Sequence, residues 1–188
     1  MPPVKKYTKE DIINVAYNIV KNEGYEGVNA RRIARELGCS VQPIFHNFSS
    51  MDELNKDVYV KIYDRYKEYM ISGKDNKENA YKHMGLAYIK FAKDYPEFFK
   101  ILFMQKTDLS AESIVINDDM GNDVIKTGQI LTGLSYEEQT KFHVKVWIFT
   151  HGIACLVATK TVQFTDNEIA ELLESTVRQM LVGYKGGK

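Results

Sequence analysis

Apolar residues recur along the chain at spacings of three and four, and alternation at every second position is nearly absent, so the pattern predicts an all-α protein. After Thr8, the residues Ile12, Ala16, Ile19 and Val20 fall on one helical face. Thr8-x-x-Asp11 resembles a capping box, in which each side chain satisfies the other residue's backbone amide, and Gly24 ends the segment. A second helix is expected after Asn29 as N-cap, with Ile33, Ala34 and Leu37 inward and a stop at Gly38, a residue type that tolerates a left-handed turn. A third, of about two turns, should begin at once with Ser40 as N-cap. Its apolar residues are Val41, Ile44, Phe45 and Phe48, the two phenylalanines expected to be buried, and Pro43 lies in the first turn, where an N–H lacks an intrahelical acceptor anyway.

Beyond Ser50 a long amphipathic helix is expected through Leu54, Val58 and Ile62 to about Ser72, broken by Gly73 to Asn76, which makes it a connecting rod. Another follows over about 78–95, and Pro96 opens a short apolar segment from Phe98 to Met104. Asp118, Asp119 and Gly121 interrupt the periodicity between 107 and 134, leaving room for one or two helices. Two capping boxes announce the closing pair: Ser135-x-x-Glu138 before a helix over 139–159, and Thr165-x-x-Glu168 before one over 169–182. About nine helices result. The last carries Ile169, Leu172, Leu173, Val177 and Met180 on an apolar stripe, and its predecessor is apolar nearly all round. Surplus of this kind predicts a homodimer held by those five residues and the facing helix.

Composition adds bounds. With 188 residues, 44% of them hydrophobic, the chain is long enough for a small head of about 50 residues on a larger body. Net charge is zero, from 25 basic and 25 acidic residues. Seven bases against five acids in residues 1–50 give that segment only +2, so charge by itself barely points to nucleic acid. The richest apolar run, Phe142 to Ala158, is interrupted by His143, Lys145 and His151, and no charged-then-apolar leader is visible; a cytoplasmic protein without membrane association is the expectation. Cys39 and Cys155 have no metal-like spacing and argue against a disulfide framework.

Three short helices with a tight turn at Gly38 are what a helix-turn-helix needs. The stretch Gly24-(x)3-Val28-Asn29-Ala30-Arg31-Arg32-Ile33-Ala34-Arg35-Glu36-Leu37-Gly38-Cys39-Ser40-Val41-(x)3-Phe45-x-x-Phe48 resembles the DNA-binding signature of TetR/AcrR regulators, over about residues 8–54. The resemblance implies a helix-turn-helix domain over 1–50, a helical effector-binding and dimerisation domain over 51–188, a palindromic double-stranded operator, and repression relieved by a small apolar or aromatic-cationic effector, with no cofactor. It implies base or phosphate contact by Arg31, base contacts by Val41 (a thymine methyl) and Gln42 (adenine), and phosphate contacts by His46 and Asn47, helped by Ser40 and Asn29. Two positions depart from the family pattern: Phe45 stands where Tyr is usual and Met51 where Lys is usual, so two backbone contacts are missing.

In the body, His143, Trp147, His151 and Cys155 recur every four residues and trace one oblique stripe. His151 and Cys155 have the spacing to share a metal, yet no third ligand is evident, so no metal is expected and a polar floor to an apolar pocket is the better reading. Phe98, Phe103, Met104, Trp147 and His151 are the candidate ligand contacts, since aromatics and Met make adaptable walls. No Gly-rich phosphate loop, nucleophile elbow or paired Glu-x-x-His is present, and an enzyme is not expected. The alternatives are a helical-bundle enzyme or carrier using His143, His151, Asp118, Asp119 or Asp123, and an adaptor whose helix-turn-helix binds protein.

Overall fold

The computed structural model of the chain describes residues 7–74, 80–116 and 119–186, and the regular elements among them are all helical. In order they are α1 (Lys9–Glu23), a 3-10 turn (Tyr25–Gly27), α2 (Ala30–Leu37), α3 (Gln42–Asn47), α4 (Met51–Lys74), α5 (Ala80–Asp94), α6 (Pro96–Phe103), α7 (Ala111–Ile116), α8 (Asp119–Thr132), α9 (Tyr136–Ala158) and α10 (Asp166–Gly186).

Capping chemistry sets the head helices. Thr8 Oγ1 accepts the Asp11 N–H at 3.1 Å, and Asp11 Oδ2 accepts the Thr8 N–H at 2.9 Å. Asn29 Oδ1 accepts the Arg32 N–H at 2.9 Å, and Gly38, at φ 70°, turns the chain out of α2. The start of α3 departs from expectation. Its N-cap is Val41 rather than Ser40, with no side-chain cap, and the Ile44 N–H reaches Val41 O at 3.1 Å. Pro43 therefore sits in the first turn, where its missing N–H costs nothing, and Ser40 stays exposed in the turn.

The rod α4 is opened by Ser50, whose Oγ accepts the Glu53 N–H at 3.2 Å. Glu53 reaches back to the hydroxyl and N–H of Ser49 and to Lys9 Nζ, and these contacts, Ser49 foremost, pull its carboxyl down to about 2. The helix continues through Gly73 to Lys74; Asp75 and Asn76, part of the expected break, lie outside the described residues, as does Asp118. Both closing helices begin three residues earlier than expected, at Tyr136 and Asp166. A capping box joins the cap to the third helical residue, so the helix starts immediately after the Ser or Thr.

Head and body share one apolar core. Ile12, Ala16, Val20, Ile33, Ile44 and Phe48 are buried together with Leu54 and Val58 of α4, and the same cluster runs on through Tyr66, Phe91 and Phe98 to Ile153 and Leu173. The junction is aromatic: Phe98 of α6 is fully buried, its ring centroid 4.7 Å from Tyr17 of α1 and stacked at 5.3 Å on Tyr95.

The outer faces of α9 and α10 correct the stripe drawn from sequence. Ile169 and Leu173 are 4% exposed, packed into their own chain, and Val177 and Met180 lean on a smaller cluster of Leu134, Phe142 and Val146. Of the five residues assigned to an interface, Leu172 alone is exposed. Leu172 projects about 100° round α10 from Leu173, and the broad apolar stripe of Ile169, Leu173, Val177 and Met180 is consumed within the protomer. Facing outward instead are Ile148, Gly152 and Leu156 of α9 with Leu172 and Val182 of α10.

Candidate nucleic-acid interface and body cavity

The exposed side of the head is built by α2 and α3. Burial of Ile44 and Phe48 fixes the rotation of α3, so that Val41, Gln42, Phe45 and His46 point outward. On α2, Arg31 and Arg35 are exposed and one turn apart. Arg32 between them is tied down: Nε meets Glu36 and Nη2 meets Glu23, both at 2.9 Å.

Two of the residues singled out in the sequence, Asn47 and Phe45, sit differently from expectation. Asn47 is half-buried and its Nδ2 donates to Pro43 O at 2.7 Å and Tyr7 O at 3.3 Å, so it closes the end of α3 onto the segment before α1 rather than facing a phosphate. Asn29, exposed, caps α2 with its carbonyl oxygen as expected. Phe45 was expected to be buried and is 53% exposed, because Ile44 already fills the inward position beside it. Arg31, Ser40, Val41, Gln42 and His46 are exposed.

The body holds an open-sided cavity of about 590 Å³ between α4, α5, α6, α8 and α9 and the loop after α6. Its walls are aromatic and sulfur-rich: Tyr59, Tyr63, Tyr66, Met70, Met84, Tyr88, Phe103, Met120, Val146 and Trp147, with Lys106 and Thr107 of the loop and the imidazole of His143. Burial pushes His143 down to about 4, so the ring is neutral at pH 7. This volume lies within the range of small-molecule sites.

Of the five candidate ligand contacts, Phe103 and Trp147 line this space and three do not. Phe98 points the other way, into the junction with α1. Met104 follows the end of α6 and is 41% exposed, since the helix stops before another turn could carry it inward. His151 stands behind Trp147, its ring stacked at 5.0 Å, with Nδ1 2.9 Å from the Tyr88 hydroxyl and Nε2 3.4 Å from Cys155 Sγ. The tyrosines of α4 and His143 were missed as wall residues. Spacing placed them on helices but could not say which side of α4 the body would cover. No group of three or more His, Cys, Asp or Glu side chains suited to a metal occurs among the described residues.

Comparison with known proteins places this architecture. Residues 12–58 match the model of the family described as "Bacterial regulatory proteins, tetR family". The chain is 20% identical over 190 residues to the uncharacterized HTH-type transcriptional regulator YobS of Bacillus subtilis, covering 97% of this chain and 95% of that one. It is 36% identical over 64 residues to the HTH-type transcriptional regulator PksA of the same organism, covering 32% and 31%. A TetR-like transcriptional regulator from Rhodococcus sp. RHA1 superposes with a TM-score of 0.67 over 96% of this chain and 99% of that one, at 16% identity. A second regulator from that source gives 0.57 over 94% and 97%, at 14% identity. Residues 12–58 thus carry a helix-turn-helix like that of the tetR family, with the outward side chains of α2 and α3 exposed, on an all-helical body with the overall fold of TetR-like regulators, and these likenesses support a DNA-binding transcriptional regulator.

Proposed function

We propose that the protein is a homodimeric repressor of cytoplasmic transcription, that residues 1–50 grip a palindromic operator while residues 51–188 dimerise and bind a small lipophilic effector, and that the effector releases DNA. The observation that carries this reading is the position of α6. Phe98 near its start is wedged against Tyr17 of α1, and Phe103 at its end forms cavity wall, 4.9 Å from Tyr66 and 5.3 Å from Tyr88. A molecule that fills the cavity presses on the same short helix that supports the head.

In this reading Arg31 and Arg35 hold phosphates, Ser40 and His46 add backbone contacts, and Val41 and Gln42 read bases. Asn29 and Asn47 act by shaping α2 and α3. Two recognition helices must lie about 34 to 36 Å apart to enter successive major grooves, so a small tilt of α1 against α6 changes the fit to the operator. The effector acts only through its different affinity for the two spacings. No helix among the described residues is long and apolar enough to cross a membrane.

The test joins two signals on the full-length protein: Trp147 fluorescence and a gel shift on the DNA upstream of its own gene, over a panel of lipophilic compounds. Compounds that perturb Trp147 should also release DNA. Perturbation without release shows a body that binds ligand but does not signal.

A further inference from the structure

The recognition helix carries an unusual outward face. Val41 is 38% exposed and Phe45 53%, and they stand one turn apart, joined by the backbone bond from Phe45 N–H to Val41 O. Gln42 and His46 run beside them, also one turn apart and exposed. From Ser40 to Asn47 there is no Lys or Arg. An apolar pair on a surface that meets water gains nothing there, whereas the same pair against an apolar group of the partner is stabilising.

In the major groove the apolar group on offer is the C5-methyl of thymine. The amide of Gln42 matches the N6 and N7 edge of adenine, the other half of the same base pair. Guanine is most often read by the bidentate fork of Arg or by Lys, and the exposed arginines Arg31 and Arg35 project from α2 rather than α3. We infer that each operator half-site presents at least two neighbouring A·T pairs to α3, with Val41 and Phe45 packed on thymine methyl groups and Gln42 on adenine. The inference rests on the DNA-binding reading and on α3 being the helix that enters the groove. On this view Phe45 is a specificity residue, not a defective copy of the tyrosine usual at its position.

Thymine methyl groups can be removed without disturbing the duplex, by substituting deoxyuridine. Full-length protein is used to select duplexes from a randomised library, and the most enriched duplex is remade with deoxyuridine for each half-site thymine in turn. The expected result is A·T pairs at two or more successive core positions. One or two of the uridine duplexes should bind about fourfold more weakly, the value of one buried methyl or methylene group. The F45A variant should lose the uridine effect at the thymine that Phe45 contacts and keep any effect at the one against Val41, and since Phe45 is exposed its loss leaves the fold intact. A G·C core, uridine duplexes that all bind like the parent, or an F45A variant that keeps the full uridine effect would each overturn the inference while leaving DNA binding standing. Failure to enrich any sequence at any salt concentration overturns it too, and takes the assignment of α3 as the groove-reading helix with it.

Discussion

The hydroxyl of Tyr88 lies 2.9 Å from Nδ1 of His151, so a residue of the cavity wall is bonded to one that stands behind it. Tyr88 also accepts from the Trp147 indole. The other ring nitrogen of His151, Nε2, faces Cys155 Sγ at 3.4 Å. Burial raises the Tyr88 hydroxyl and lowers His151, and both stay neutral near pH 7.

Removing that hydroxyl deprives two half-buried partners of a hydrogen bond. Tyr88→Phe is expected to cost about 1 to 3 kcal/mol in urea unfolding and to change Trp147 emission, with the cavity itself preserved. A variant as stable as the parent with an unchanged emission spectrum shows that the Trp147–Tyr88–His151 chain does not form.

On the DNA side, the ion pairs of α2 separate two kinds of arginine. Arg31→Ala should weaken binding to all duplexes and lower the slope of log affinity against log salt by about one, as loss of one phosphate contact does. Arg32→Ala should leave the slope unchanged, because that guanidinium is held by Glu23 and Glu36. Anisotropy titrations at several salt concentrations decide the matter, and equal slopes for the two variants contradict it.

The outward and inward faces of α10 predict opposite outcomes for adjacent leucines. Leu172→Glu places a charge on the outward face and should yield folded monomers in sedimentation, with helical circular dichroism retained. Leu173→Glu buries a charge in the shared core and should unfold the protein, whatever its assembly state. A Leu172→Glu protein that remains dimeric, or a parent that is monomeric at micromolar concentration, removes the proposed interface.

His143 gives the protein a sign-defined response to acid. The unfolded imidazole takes up its proton near pH 6.5 and the folded one at about 4. Its contribution is therefore complete above about 6.5, lost as pH falls toward 4, and constant below that. Over this window the parent should lose up to about 3 kcal/mol that a His143→Leu variant does not. Parallel unfolding curves for parent and variant at pH 7 and pH 4.5 rule this out.

Much of the head was legible in the sequence because its signals are local. Thr8, Asp11, Asn29 and Gly38 each act within a few residues, and each stands where its chemistry requires. Ser40 misled because a good capping residue one position early competes with Val41, and spacing cannot decide between them. The body was less legible. Phe98 and Phe103 look equivalent along the chain, yet the tertiary placement of α6 sends one to the head and the other to the cavity. Ile169 and Leu172 were joined in one stripe for a similar reason: amphipathicity shows that a face is apolar, not whether its own chain or another copy will cover it. Gln139, buried among apolar neighbours of α9 beside Gly128, gave no signal at all; a Cβ at 128 would collide with its amide.

The aromatic junction of Tyr17, Tyr95 and Phe98 also bears on how far such a protein is modular. A head grafted onto the body of another regulator would meet a foreign surface under α1, where a ring now fills the gap completely. Reprogramming this protein for a new operator is therefore better done by exchanging the few outward residues of α3 than by transplanting residues 1–50 as a block.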